Sequence, residues 1–262
     1  MPPYRLGDRI PPTPQPDENG TVAGTLGVTR PLGNMRYTTL LFDLDHTLID
    51  GDASEGAAFD YTLRRSGADD PADYLAPYVE INTALWAAVE AGEITPNDVR
   101  SERFARLIAA TDLESDPETM GDDFVFGMGA NGELYPGTVE TLDSLAQMAT
   151  LALVTNGIGE VQRARLARLD LDKYFDAIVI SGEVGVAKPG PEIYDLTFEE
   201  LGHPDKATTL MIGDSLSSDM AGGTNYGIAT CWYAARSDKA TPAGIDHRIT
   251  ALDELLPIIA GE

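Results

Sequence analysis

Five short apolar runs recur along the chain: Thr39–Phe42, Leu151–Val154, Ala177–Ile180, Thr209–Ile212 and Ile228–Trp232. They are rich in Val, Ile and Leu, and apolar at consecutive rather than alternate positions. Strands covered on both faces have this character. Helical spacing of apolar residues over about 158–169, 189–202 and 217–226 separates the last four runs. A further helical pattern over 137–149 precedes the second run, and one over 251–260 closes the chain. Strands alternating with helices predict an α/β protein: an open parallel sheet with helices on both faces.

Residues 51–135 break the alternation and hold no convincing strand. Ser54–Ser66, Pro71–Ala91, Thr95–Ala110 and Asp116–Phe126 read as helices, punctuated by Gly92 and Pro96, with Thr95 as an N-cap. The spacing predicts an all-helical insertion after the first strand, with Asp50-Gly51-Asp52 and Gly132–Gly137 as its hinges. Ligands of open α/β sheets bind beyond the carboxyl ends of the strands. The insertion leaves from that edge, so it is placed to cover a site there. The rest, 36–50 and 136–262, is the expected sheet-bearing core. Residues 1–35 hold seven of the 17 prolines and no sustained pattern, which predicts a disordered N-terminal leader. Met35, just ahead of the first strand, is an alternative start.

Charge adds one constraint. Asp and Glu total 43 against 18 Lys and Arg, a formal net charge of −25. Such a surface repels nucleic-acid polymers and anionic lipid, so neither is an expected partner. It also suits high salt, where screening removes self-repulsion, and an ordinary acidic protein is the competing reading. No run of about 18 apolar residues predicts a membrane span. Cys231 is the only cysteine, which excludes an internal disulfide and favours a cytoplasmic location. Its apolar neighbours predict a buried, inert thiol.

The strand ends carry the chemistry. The first run ends in Asp43-Leu44-Asp45-His46-Thr47, two carboxylates one residue apart where unpaired burial would be costly. The second ends at Thr155-Asn156-Gly157, Lys188-Pro189 follows the third, and the fourth ends at Gly213-Asp214-Ser215 with Asp219 beyond it. Four carboxylates in one crevice repel, and a divalent cation relieves the repulsion. An all-oxygen donor set favours Mg²⁺ over Zn²⁺. Lys188, the Thr155 hydroxyl and the backbone N–H groups of Asn156 and Gly157 suit anionic oxygens. The mixture fits a phosphoryl group.

The order DxDxT, Thr-Asn, Lys-Pro and GDSxxxD resembles the haloacid dehalogenase superfamily of phosphatases over about residues 37–262. The resemblance implies a Rossmann-like core, a C1-type helical cap over 51–135 and a Mg²⁺-dependent phosphomonoester hydrolase. It implies that Asp43 is the nucleophile, forming an aspartyl-phosphate, and that Asp45 is the general acid and then the base. Thr155 and Lys188 would hold the phosphoryl oxygens. The Asp43 carboxylate, the Asp45 backbone carbonyl and Asp214 would bind the metal. Asp219 would orient metal waters or contact Lys188. His46, by strand alternation, points away from both acids and reads as structural. His203 and His247 fall in polar loops.

Within the insertion, Asn82-Thr83-Ala84-Leu85-Trp86, Gly92-Glu93-Ile94-Thr95 and Arg103-Phe104 are similar to the cap of pyrimidine 5′-nucleotidases in that superfamily. Val184–Pro189 and Ala229–Trp232 are similar to the same branch. The likeness implies a small phosphorylated substrate, a nucleoside 5′-monophosphate. Asn82, Trp86 and Arg103 become candidate substrate contacts, with helix packing the competing role for Trp86. Another phosphometabolite, such as a sugar phosphate or phosphoglycolate, is the alternative. Phosphomutases share both acids, dehalogenases lack the second acid that Asp45 supplies, and a non-catalytic phosphate-binding module would have lost its nucleophile. The sequence is silent on oligomeric state.

Overall fold

Each of the five expected strands forms, and alternate side chains of the central ones feed two different cores. Leu40 and Phe42, Leu151 and Leu153, and Leu210 and Ile212 pack into one cluster, while Leu41, Ala152, Val154 and Met211 pack into another. A strand covered on both faces has no polar side to spare, which is why these runs carry no alternation. The computed structural model describes residues 35–261. The expected leader therefore lies, except for Met35, outside the described residues.

The strands are β1 (Thr39–Phe42), β2 (Thr150–Thr155), β3 (Ala177–Ile180), β4 (Thr209–Gly213), β5 (Ala229–Tyr233) and β6 (His247–Ile249). They form one parallel sheet in the order β3-β2-β1-β4-β5-β6. Thr39 is in register with both Thr150 and Thr209. The strand order reverses between β1 and β4, and the crevice beyond their carboxyl ends is where an open α/β sheet binds its ligand. The sixth strand was not legible in the sequence. Only Ile249 of its three residues is buried and apolar, and hydrogen bonds to β5 rather than hydrophobicity make it a strand. His247, expected in a polar loop, lies in it, within 2.9 Å of the Tyr37 hydroxyl.

The insertion holds α1 (Gly51–Arg65), α2 (Leu75–Glu90), α3 (Pro96–Ala110) and α4 (Pro117–Ala130). These build a core of their own from Phe59, Leu63, Tyr78, Phe104, Leu107, Met120 and Phe124. Thr95 caps α3 in a reciprocal capping box with Asp98, and Pro96 takes the first helical position, where its missing N–H costs nothing. Asp50 caps α1, so Asp50-Gly51-Asp52 begins a helix rather than forming a free connector. The two connecting segments pair with each other instead. Ile49 and Leu134 form an antiparallel bridge, and the Tyr135 N–H donates to the Leu48 carbonyl at 3.0 Å.

The core helices are α5 (Thr138–Leu145), α6 (Gly159–Arg168), α7 (Ser181–Val184), α8 (Pro191–Glu200), α9 (Ala221–Tyr226) and α10 (Leu255–Ala260). The helix expected over 71–91 divides at a 3₁₀ turn, Pro71–Tyr74, capped by Asp70. That expected over 217–226 begins as a π-helical turn, Leu216–Met220, a local form that often occurs at functional sites.

Candidate active site

Asp43 follows β1 directly and is buried. Its Oδ1 accepts from Lys188 Nζ at 2.7 Å, and Thr47 Oγ1 donates to its Oδ2 at 3.4 Å. Lys188 is fully buried. Its ammonium also donates to Asp219 Oδ1 at 2.7 Å and to the Val154 carbonyl at 2.6 Å. Three donors thus meet three acceptors, and the cation is shared between two carboxylates. Burial pushes the Asp43 carboxyl well above the usual range, Lys188 opposes that, and the Asp219 and Asp214 charges push it up further. Burial alone would lower the Lys188 ammonium, but Asp219 and Asp43 hold it above its ordinary value.

Asp219 reaches this position because Gly213 lets it. A Cβ on Gly213 would lie 2.2 Å from Asp219 Oδ2, so the end of β4 and the following turn can meet only without a side chain there. The Ser215 N–H donates to the same Oδ2 at 3.0 Å. Asp214 is partly buried, and burial together with the Asp219 charge pushes its carboxyl up to about 7.

Oxygens of Asp43, Asp214 and Asp219 lie within 4.8 Å of one another. Three close carboxylates sharing one ammonium leave unbalanced negative charge, and the donors are all hard oxygens. The residues therefore fit a hard divalent cation. The Asp45 carboxylate is not part of this cluster. Arg165 Nη1 donates to its Oδ1 at 2.7 Å and Gln162 Nε2 to its Oδ2 at 2.8 Å. Of Asp45, only the backbone carbonyl is left for a metal. Burial would raise the Asp45 carboxyl, but Arg165 and then Gln162 outweigh it and hold it below its usual value.

Arg165 and Gln162 come from α6 and were missed by sequence reasoning. Nothing in the helical pattern over 158–169 singles either residue out. Arg165 is fully buried, with Nε donating to the Met128 carbonyl of α4 at 3.0 Å. One guanidinium thus joins the insertion to the second acid of the Asp-x-Asp pair. Gln162 Nε2 also lies 3.0 Å from Thr155 Oγ1.

One of the two backbone N–H groups expected to meet phosphate has another partner. The Gly157 N–H donates to Ser181 Oγ at 2.9 Å. The Asn156 side chain brackets Lys188, donating to its carbonyl and accepting from its N–H, each at 2.9 Å. The Asn156 side chain therefore positions the lysine.

A cleft of about 470 Å³ opens beside this centre, lined by Asp45, His46, Glu55, Asn82, Trp86 and Asn156 among others. A smaller cavity adjoins it, where Trp86 and Arg103 face Asp45, Gln162 and Arg165. Trp86 packs against an apolar cluster of the insertion and also lines both spaces. Asn82 Nδ2 donates to Glu55 Oε1 at 2.7 Å. Arg103 is buried, with its guanidinium 4.4 Å from the Phe124 ring centroid. His46, at φ 62, turns its ring onto Gly51 at the cleft and contacts Arg236, which also pairs with Asp52.

Residues 37–227 match the haloacid dehalogenase-like hydrolase family. The chain belongs to that family. The family generally uses a divalent metal, as the acidic cluster here would allow. Among its relatives, the pyrimidine 5′-nucleotidase PynA of Streptococcus pneumoniae is 38% identical over 85% of this chain and 94% of its own. The pyrimidine 5′-nucleotidase YjjG of Escherichia coli is 36% identical over 84% of this chain and 97% of its own. The solved structure of the HAD-hydrolase YfnB from Bacillus subtilis, bound to magnesium, has a TM-score of 0.77 at 32% identity and covers 86% of this chain and 99% of its own. Among the described residues no helix is long and apolar enough to cross a membrane.

Proposed function

We propose that this family member is a Mg²⁺-dependent phosphomonoesterase that releases phosphate from pyrimidine nucleoside 5′-monophosphates through an aspartyl-phosphate. The observation that carries the reading is the buried Asp43–Lys188–Asp219 cluster with a separately held second acid, Asp45, in a chain 36–38% identical to two pyrimidine 5′-nucleotidases. Magnesium is supported by the all-oxygen donors and by the magnesium-bound relative YfnB.

An Asp43 carboxylate oxygen attacks phosphorus, and the bond to the leaving nucleoside oxygen breaks. Asp45, which must give up its Arg165 or Gln162 contact as it takes up a proton, passes that proton to the leaving oxygen. Water then attacks the aspartyl-phosphate, Asp45 takes the water proton, and phosphate leaves with the Asp43 carboxylate restored. Lys188 and the Thr155 hydroxyl stabilise charge on the phosphoryl oxygens; Lys188 contributes by exchanging one of its carboxylate contacts. Asp43, Asp214 and the Asp45 backbone carbonyl would hold the cation, with Asp219 supporting them, and it would supply charge neutralisation at the phosphoryl group. Residues 51–135 act as the cap, which excludes water and selects the substrate. The lone, buried Cys231 suits work in the cytoplasm.

The test is a panel of phosphate monoesters assayed with magnesium and with chelator. Uridine and cytidine 5′-monophosphates are expected to exceed ribose 5-phosphate and phosphoglycolate by about tenfold or more in kcat/KM, roughly what one to two hydrogen bonds supply. Chelation is expected to abolish release. Equal turnover of sugar phosphates would remove the nucleotide assignment.

A further inference from the structure

Three buried side-chain atoms among the described residues have no hydrogen-bond partner: Asn82 Oδ1, Arg103 Nε and Tyr194 Oη. Two of the three lie in the insertion and are linked through one carboxylate. Arg103 Nη1 is 3.5 Å from the Tyr78 hydroxyl, which donates to Glu55 Oε1 at 2.8 Å. Asn82 Nδ2 donates to the same oxygen. The polarity of this chain is fixed by chemistry: a carboxylate only accepts, so the Asn82 amide nitrogen must face Glu55 and its carbonyl must face away. Among the described residues Glu55 Oε2 has no partner and no cation pairs with Glu55.

The group therefore has two spare acceptors, Glu55 Oε2 and Asn82 Oδ1, and one spare donor, Arg103 Nε; Asn82 Oδ1 and Arg103 Nε are covered by their neighbours, which a ligand must displace to meet them. Glu55 lines both the cleft beside Asp45 and the smaller adjoining cavity; Asn82 lines the former and Arg103 the latter. Trp86, Phe124, Met128, Ile158 and Val161 supply apolar walls. Leaving a buried polar atom unmade costs about 1–3 kcal/mol, so this arrangement favours a ligand with complementary groups.

We propose that Glu55, with Asn82 and Arg103, reads the polar edge of the pyrimidine base. The two N–H bonds of a cytosine amino group meet Glu55 and Asn82, a base carbonyl meets Arg103, and the ring lies against Trp86. The inference rests on the nucleotidase reading and deepens it. Ribose hydroxyls could also donate to Glu55, but they would leave the flat apolar wall without a face.

The experiment compares kcat/KM for cytidine 5′-monophosphate with that for ribose 5-phosphate in the wild type, Glu55→Gln and Asn82→Ala. A glutamine must turn its amide nitrogen either toward the base N–H or toward the Tyr78 and Asn82 donors, so donor meets donor either way. The ratio of the two kcat/KM values is expected to fall about tenfold or more in both variants, the worth of one charge-assisted hydrogen bond. A ratio that stays at the wild-type value overturns the proposal, whether both substrates suffer equally, as they would if Glu55 read the ribose or only held the scaffold, or neither suffers. Asn82→Ala keeps the test decisive if Glu55→Gln does not fold. A wild-type enzyme that shows no preference for the nucleotide overturns the nucleotidase reading itself, before any variant is measured.

Discussion

At the scale of single residues, the division of labour between Asp43 and Asp45 follows from their partners. Asp43 shares Lys188 with Asp219 in a buried cluster, while Asp45 is gripped at both oxygens by Arg165 and Gln162. Replacing Arg165 by Met removes one partner of a largely buried pair, which costs about 3 kcal/mol. It also frees Asp45 to leave its position. Turnover of Arg165→Met is expected to fall about 100-fold in kcat with little change in KM, with a lowered unfolding midpoint; an unchanged kcat would show that Asp45 needs no such support. Cys231 gives a second residue-scale expectation. Burial raises its thiol to about 12. A free thiol ionises near about 8.5, so the folded state favours the protonated form and loses stability as pH rises from about 8.5 toward about 12. At pH 8 a thiol-alkylating reagent should modify unfolded but not native protein, and rapid native labelling would contradict the burial. The core acids, Thr155 and Lys188 were readable because polar groups stood at the ends of apolar strands. Arg165, Gln162 and Glu55 were not, because each lies in a helix whose local pattern is the same whether that face meets water or a neighbouring element.

At the scale of elements, the site is assembled by junctions between strand ends and the turns that follow. The most constrained is β4 with its π-helical turn, where Gly213 and Asp219 touch. Gly213→Ala places a methyl against the carboxylate and must displace it from Lys188. Overpacking of this kind costs about 1–3 kcal/mol. The activity loss is expected to be larger, about 100-fold, because the displaced group orders the lysine. Comparing kcat with the unfolding midpoint separates the two, and a variant with normal kcat would contradict the role given to Asp219. Helix α6 is the other organising element. Arg165 and Arg168 both donate to carbonyls at the end of α4, the geometry in which cations complement a helix C-terminus. The strands that position the site were legible because buried parallel strands must be continuously apolar. The sixth strand was hidden because pairing with β5, not burial of its own side chains, makes it a strand.

At the scale of the whole molecule, the formal charge of −25 sets up self-repulsion that the fold has to overcome. We propose that the surface is adapted to high salt. The unfolding midpoint is then expected to rise between low and molar salt, as screening shortens the range of repulsion to about 3 Å. A flat or falling midpoint would leave an ordinary acidic protein. The acidity also concentrates the importance of the few cations that remain inside. Lys188 is one of four lysines in the chain, and the only one buried. Everything in the functional account converges on what Lys188 and its neighbours hold in place, the Asp43 carboxylate as nucleophile. The most direct measurement is phosphate release from uridine 5′-monophosphate by Asp43→Asn, with magnesium present and the fold verified by its unfolding midpoint. The account predicts that turnover falls to background while the protein stays folded; turnover at or near the wild-type rate would contradict it.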